Sequence, residues 1–120
     1  MTDKKKIGNK GEELAADFLE KISYKIIEKN YRFGKGEIDI ICEDLGNKNL
    51  VFVEVKSRTN LNFGDPIFAL TKRKMAQLRK IADAYLYEKK IDDIDCRFDV
   101  ITILYKPKEK PDIKHYINAF

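Results

Sequence analysis

The sequence predicts an α/β sandwich on a mixed β-sheet, with the element order αβββαβ and a short closing strand. Three observations predict this class. Two segments carry apolar residues at helical spacing, three others are apolar and β-branched as in strands, and no repeat or linker divides the 120 residues. We therefore expect one domain over residues 1–120, and the 43% hydrophobic content is enough for a packed core.

The first half of the chain predicts a helix and three strands. Apolar residues recur on one helical face from Gly11 to Ile22. Ser23 to Glu28 predicts a short strand, and Asn30 to Lys35 predicts a basic connection with aromatic residues. Glu37 to Cys42 and Leu50 to Ser57 are strong strand patterns around a polar turn, so we expect them to pair as a hairpin.

The second half begins with a loop rich in turn-forming residues. A second helix is predicted from about Pro66 or Thr71 to about Lys89. Phe98 to Tyr105 is a third strong strand, and Ile113 to Ile117 is a short last element.

Composition narrows the chemistry that this chain can perform. The net charge of +4 favours nucleic acid only weakly. Cys42 and Cys96 have no CxxC spacing and are expected to be reduced packing residues. His115 is the one histidine and has no partner nearby in sequence, so it is expected to be structural. Because a His-rich zinc site and a catalytic triad are both excluded, any catalysis must use carboxylates and lysines.

The first ten residues are polar and basic with no apolar run behind them. This pattern fits neither a secretory signal nor a membrane span. We therefore expect a cytoplasmic protein that does not engage a membrane.

The predicted hairpin places four charged residues on one face. If Gly46–Asn47 forms the centre of the turn, Asp39 lies directly opposite Glu54, and Glu37 lies opposite Lys56. Two opposed carboxylates, with Cβ atoms roughly 4.5–5.5 Å apart, repel each other unless a cation or proton lies between them. The alternative is an ordinary Glu37–Lys56 ion pair, with the two remaining acids exposed at a sheet edge.

The functional interpretation of this hairpin is a divalent-metal site. Asp39 and Glu54 offer hard oxygen ligands, which suit Mg²⁺ or Mn²⁺. Lys56 would orient a nucleophile or stabilise negative charge, and a phosphodiester is the natural substrate. Helix phasing places Glu12 on the flank of the first helix's buried stripe, where it can approach this site, whereas Glu13 faces solvent.

Basic residues surround the predicted site. Lys72, Arg73 and Lys74 open the second helix, where the helix dipole disfavours cations and a bound phosphate would compensate. Arg58 extends the same surface. The alternative is an ordinary solvated helix face.

Two smaller features each leave alternatives open. Tyr31, Arg32 and Phe33 could stack on an unpaired base, although aromatic residues in such a segment more often belong to the core. Asp99 is either an acid behind the predicted site or, as we favour, a partner of Arg97.

Several blocks together resemble the YraN-like family of small bacterial proteins: GNKGEELAADFLE, NYRFGKGEIDIICED, VFVEVKSR, FGDP, the basic helix and RFDVI. That family is similar to the restriction-endonuclease-like superfamily and to archaeal Holliday junction resolvases. The resemblance implies an αβββαβ core with a mixed sheet flanked by helices. It also implies that the Asp…Glu-x-Lys motif falls on Asp39, Glu54 and Lys56, and that the helix-borne acid is Glu12.

The resulting hypothesis is a Mg²⁺- or Mn²⁺-dependent DNA endonuclease that acts on branched or damaged DNA. The alternative is a nucleic-acid-binding or accessory module that keeps the site without turnover. A third hypothesis is that the protein is a purely structural partner in a larger complex. Resolvases of this fold act as dimers, so the resemblance also implies a homodimer, although the sequence identifies no interface.

Overall fold

Strands and helices follow the predicted order. A computed structural model describes residues 3–60, 64, 67 and 70–120, with side chains from Lys10 onwards in those ranges. The predicted order αβββαβ with a closing strand is confirmed, and the predicted loop after Arg58 lies mostly outside the described residues. The elements are α1 (Asp3–Lys21), β1 (Tyr24–Phe33), β2 (Gly36–Asp44), β3 (Leu50–Arg58), α2 (Lys72–Glu88), β4 (Cys96–Leu104) and β5 (Asp112–Tyr116).

The five strands form one mixed sheet in the order β1-β2-β3-β4-β5. β1, β2 and β3 are an antiparallel meander, and β5 returns antiparallel to β4. β3 and β4 are parallel, which requires a long crossover, and α2 supplies it. None of the helices in the described ranges is long and apolar enough to span a membrane.

Each face of the sheet packs against one helix. Ala15, Ala16 and Leu19 of α1 pack with Val51 and Val53 of β3 in one cluster of buried residues. On the other face, Phe52 of β3 packs in a second cluster with the buried residues of α2, which are Leu78, Ile81, Ala82 and Tyr85. Because side chains alternate along a strand, the next residues on the Phe52 face are Glu54 and Lys56.

The predicted end of the first strand at Glu28 is wrong. β1 continues to Phe33, and Tyr31 pairs with Ile38 of β2. The Tyr31 ring is buried edge-on against Tyr85, and its hydroxyl donates to Glu88 over 2.8 Å. The core interpretation of Tyr31 is therefore confirmed. The segment after Glu28 is a strand because β2 extends far enough to pair with it. That pairing cannot be predicted from the residues of the segment alone.

One of the two cysteine predictions is also wrong. Cys42 is buried, as expected for a packing residue, and burial raises the pKa of its thiol to about 12. Cys96 is a free thiol, as expected, but it is exposed at the start of β4 and so is not a packing residue.

A polar network on the α1 face joins four strands. Arg97 donates to both carboxylate oxygens of Asp99 over 2.9 and 3.1 Å, to Asp44 over 3.0 Å, and to the Tyr24 hydroxyl. The prediction that Asp99 is a partner of Arg97 is therefore confirmed. His115 Nε2 lies 2.7 Å from Asp99 Oδ2, so His115 belongs to this structural network, as expected, through a partner that is distant in sequence.

The β4–β5 register brings His115 to Asp99. Ile101 pairs with His115, and Asp99 lies two residues from Ile101 on the same face. Burial alone would raise the pKa of Asp99, but hydrogen bonds from His115 and Arg97 hold it below its ordinary value. The network is thus an internally compensated charge cluster.

We expect Arg97→Met to destabilise the fold by about 3–5 kcal/mol, because Asp99 would be left buried without its main counter-charge. Urea denaturation measures the change. Since the native pKa of Asp99 is lowered, the stabilisation is present above the carboxyl's unfolded pKa and is lost as pH falls through the native pKa. Lys106→Met, which removes the exposed Lys106–Asp112 pair, is the control and should cost under about 1 kcal/mol. Equal losses would contradict the assignment.

Candidate functional site

The β2–β3 hairpin has the register that the sequence predicts. Its pairs run from Glu43 with Leu50 to Ile40 with Val53. Each step along this ladder moves one residue in each strand, so Asp39 and Glu54 come next. The predicted register is therefore confirmed as far as Ile40 and Val53, the pair before Asp39 and Glu54.

The strand ladder ends at this point, and the Asp39 carboxylate lies in the gap. The Val55 backbone N–H donates to Asp39 Oδ2 over 2.8 Å. Because backbone N–H groups of a strand lie in the plane of the sheet, this bond holds the Asp39 carboxylate against β3, beside Glu54.

Asp39 and Glu54 form a buried pair of like-charged groups. Their residues are 9% and 6% exposed, and their carboxyl groups are hydrogen-bonded to each other. Burial, followed by the charge of Glu54 and this hydrogen bond, raises the pKa of Asp39 to about 9, although the Val55 N–H opposes the shift. Burial and repulsion thus disfavour the charged form of Asp39 beside Glu54.

Two lysines approach Glu54 from different elements. Lys56 Nζ lies 3.2 Å and Lys74 Nζ lies 3.8 Å from Glu54 Oε2. Lys56 follows on the same strand face, whereas Lys74 comes from the first turn of α2. Thr71 Oγ1 accepts a bond from the Lys74 N–H over 3.1 Å and caps that helix. The alternative Glu37–Lys56 pair does not form, because Lys56 pairs with Glu54.

The other predicted cations lie on the two elements that carry these lysines, α2 and β3. Lys72 and Arg73 are exposed on the first turn of α2, beside the half-buried Lys74. Arg58 is exposed at the end of β3, where its Nη1 donates to the Ser57 carbonyl over 2.8 Å. Glu37 lies 3.7 Å from Arg32 Nε on the neighbouring strand. The carboxylate pair thus has exposed cations on two elements.

Glu12 of α1 lies close enough to the pair to contribute to the raised pKa of Asp39. Its Oε1 accepts a hydrogen bond from Asn30 Nδ2 over 2.8 Å. Glu13 is exposed, as helix phasing predicts.

Asn30 is a residue of this region that sequence reasoning missed. The pairs on either side of it, Lys29 with Ile40 and Tyr31 with Ile38, place it opposite Asp39. Its φ of 53° is left-handed, a conformation for which asparagine is enriched among residues with a side chain. The one sequence signal for this position is an asparagine that follows a predicted strand. The pattern there predicts a connecting loop, so a role for Asn30 in the site was not expected.

The donor set at this site has two carboxylates. Across the described part of the chain, no three His, Cys, Asp or Glu side chains come close enough to hold one metal ion. Mg²⁺ is commonly bound through one or two carboxylates, with waters and substrate phosphates completing the shell. The buried, oxygen-only pair of Asp39 and Glu54 therefore fits such an ion.

We expect Asp39→Asn to stabilise the protein in the presence of a chelator, by about 1–3 kcal/mol at alkaline pH, because it removes a buried like-charge repulsion. A native pKa of about 9, above the ordinary 3.8, means that the wild type is most stable below the ordinary pKa and loses stability as pH rises towards 9. The advantage of the variant should therefore grow between about pH 4 and pH 9 in urea denaturation. Glu43→Gln, on the same strand, is the control. An Asp39→Asn protein that is less stable throughout would contradict this account.

Comparison with known proteins identifies the family. The model of the uncharacterised protein family UPF0102 matches residues 11–103. The UPF0102 protein GSU0650 of Geobacter sulfurreducens is 45% identical, over 95% of this chain and 88% of that protein. UPF0102 proteins of Syntrophomonas wolfei and Pelobacter propionicus are 44% and 41% identical, over 97% and 98% of this chain and 98% and 84% of their own lengths. The resemblance to YraN-like proteins is confirmed, and this chain belongs to the UPF0102, or YraN, family.

Proposed function

We propose that this protein is a divalent-metal-dependent DNA endonuclease that hydrolyses phosphodiester bonds in branched or damaged DNA. The observation that carries the proposal is the buried Asp39–Glu54 pair, in which burial and mutual repulsion raise the pKa of Asp39 to about 9. Such an arrangement costs stability unless a cation or proton offsets it. Perturbed titratable groups of this kind are concentrated at functional sites.

The proposed cofactor is Mg²⁺ or Mn²⁺, held by Asp39 and Glu54. A bound divalent ion would supply polarisation of a phosphoryl oxygen and a lowered pKa for a water molecule. The Val55 N–H, which fixes Asp39 Oδ2, would keep that carboxylate in position through the reaction. Rigid support of this kind limits the reorganisation that catalysis requires.

The remaining polar side chains have distinct proposed roles. Lys56 Nζ, 3.2 Å from Glu54, would orient the attacking water and stabilise negative charge that develops on the phosphoryl group. Lys74 would neutralise a neighbouring phosphate oxygen. Glu12, held by Asn30, would assist as a nearby proton acceptor.

DNA would bind across the first turn of α2 and the end of β3. Lys72, Arg73 and Arg58 are exposed there, and backbone N–H groups at a helix N-terminus favour phosphate. Each phosphate contact would add salt-dependent, sequence-independent affinity. Because each site cuts one strand, cleavage of both strands requires two sites, and we propose a homodimer on the substrate.

We expect the wild type to cut at least one member of a panel of linear, nicked, forked and four-way DNAs when Mg²⁺ or Mn²⁺ is present. Asp39→Asn and Lys56→Ala should each reduce the rate about 100-fold or more, because they remove a metal ligand and a charge-stabilising group. Gel electrophoresis of end-labelled DNA measures the cleavage.

Matched variants make the cleavage test specific. Glu12→Gln should slow cleavage, whereas Glu13→Gln, on the solvent side of the same helix, should not. Lys25→Ala, at the far end of β1, is the control for Lys56→Ala. Cleavage that survives Asp39→Asn, or that is absent with every substrate and metal, would refute the endonuclease proposal.

A second candidate is a DNA-binding module that keeps this site without turnover. The observation that favours it is the Glu54 Oε2 atom, which the ammonium groups of two lysines approach within 4.0 Å. Part of the repulsion in the pair is therefore offset by residues of the chain itself.

Both candidates predict DNA binding through the basic end of α2. A triple variant of Lys72, Arg73 and Lys74 to Ala should lower the slope of log affinity against log salt by about 0.9 for each phosphate that the variant no longer neutralises. Fluorescence anisotropy in chelator measures this without cleavage. A second triple variant with Lys25, Lys89 and Lys110 changed to Ala removes the same charge elsewhere and should keep the slope. Equal effects would indicate net charge alone.

A further inference from the structure

The turn between β1 and β2 projects from the sheet close to the candidate site. Phe33 pairs with Gly36 across a two-residue turn, with Gly34 and Lys35 at its centre. Gly34 has a φ of 61°, and an added Cβ there would have no neighbour within 4 Å. A positive φ at the first central residue is typical of a type II′ hairpin turn, which glycine favours. The tip of this hairpin therefore stands in open space.

This tip combines an aromatic ring with two cations. Phe33 is 47% exposed, which is high for a phenylalanine, and the Arg32 side chain is 80% exposed. Lys35 is exposed on the other side of the turn. Phe33 lies two residues after Tyr31 and so faces the α2 side of the sheet, the side that carries Glu54 and Lys56.

The base of the hairpin is fixed against α2. At Gly36, an added Cβ would lie 2.7 Å from Ile81 Cδ1 and 2.9 Å from Gln77 Nε2, so the strand touches the helix closely. Gln77 is one helical turn after Lys74. The same helix therefore supports the hairpin tip and carries the first-turn cations.

The tip and the carboxylate pair are separated by a short length of strand. Gly36 is three residues before Asp39, a distance of roughly 10 Å at the rise of a β-strand. That is about three base-pair steps of duplex DNA. A nucleic acid strand held at Asp39 would thus reach the tip within a few nucleotides.

We propose that Phe33 stacks on an unpaired base of DNA beside the site, with Arg32 and Lys35 binding the flanking phosphates. This inference rests on the DNA-binding part of the proposed function and specifies its substrate class: DNA with a single-stranded segment, such as a fork. An aromatic face stacks on any base, and nearby cations attract the backbone, so the tip selects unpaired strands without selecting sequence.

The test measures binding in chelator, so that cleavage plays no part. The probes are a forked DNA with 2-aminopurine in its single-stranded arm and a blunt duplex of the same length. Phe33→Ala should weaken binding to the fork about 5- to 100-fold, leave the duplex within about twofold, and abolish the stacking-induced fluorescence change. Phe33→Tyr, which keeps the ring, should retain fork affinity.

Tyr87→Ala is the matched control, because Tyr87 is 89% exposed near the far end of α2. Thermal unfolding of each variant checks that the fold is intact. Equal loss of fork and duplex binding with Phe33→Ala, or equal effects of Phe33→Ala and Tyr87→Ala, overturns the inference. Fork-selective stacking without any cleavage supports the stacking role of Phe33 and refutes the endonuclease proposal. Cleavage by a Phe33→Ala protein that keeps its preference for the fork refutes the stacking role and supports the endonuclease proposal. A wild type that binds neither DNA overturns both.

Discussion

The pairing of β2 with β3 is the constraint on which the rest of this structure depends. Its register directs Val51 and Val53 towards α1 and Phe52 towards α2, which gives both helices an apolar face to cover. The same register brings the carboxyl groups of Asp39 and Glu54 together just past the last pair of the ladder. A slip of one residue would reverse the faces of one strand, so its side chains would no longer meet the helix that they now pack against, and the two acids would be separated. Stability and the candidate site are therefore specified together.

Two buried acids in this protein have opposite electrostatic environments. Asp99 accepts bonds from Arg97 and lies against His115, so its pKa is lowered despite burial. Asp39 lies against another carboxylate, and its pKa is raised. The first arrangement is compensated inside the fold and holds four strands together. The second is compensated incompletely, by lysines that approach one oxygen of Glu54, and this imbalance distinguishes a candidate site from a structural network.

Membership of an uncharacterised family assigns this chain to relatives but not to a reaction, and one fold can support many functions. The side chains at one end of the sheet therefore provide the support for a function. Lys74 joins the first turn of α2 to the carboxylate pair, and Gly36, at the base of the β1–β2 hairpin tip, packs against the same helix. A phosphodiester with an adjacent unpaired base matches the combined chemistry of acids, cations and an aromatic ring.

The sequence by itself determined the helix stripes, the two faces of β3 and the opposition of Asp39 and Glu54. These features follow from local periodicity and from a short turn, which fix geometry without knowledge of the rest of the chain. Only the tertiary structure decided that Lys74 approaches Glu54, that Asn30 holds Glu12 and that His115 meets Asp99. Those contacts join separate elements. They depend on how the helices dock and on how far β1 and β5 extend along their neighbouring strands, and local sequence patterns predict neither the docking nor the strand lengths.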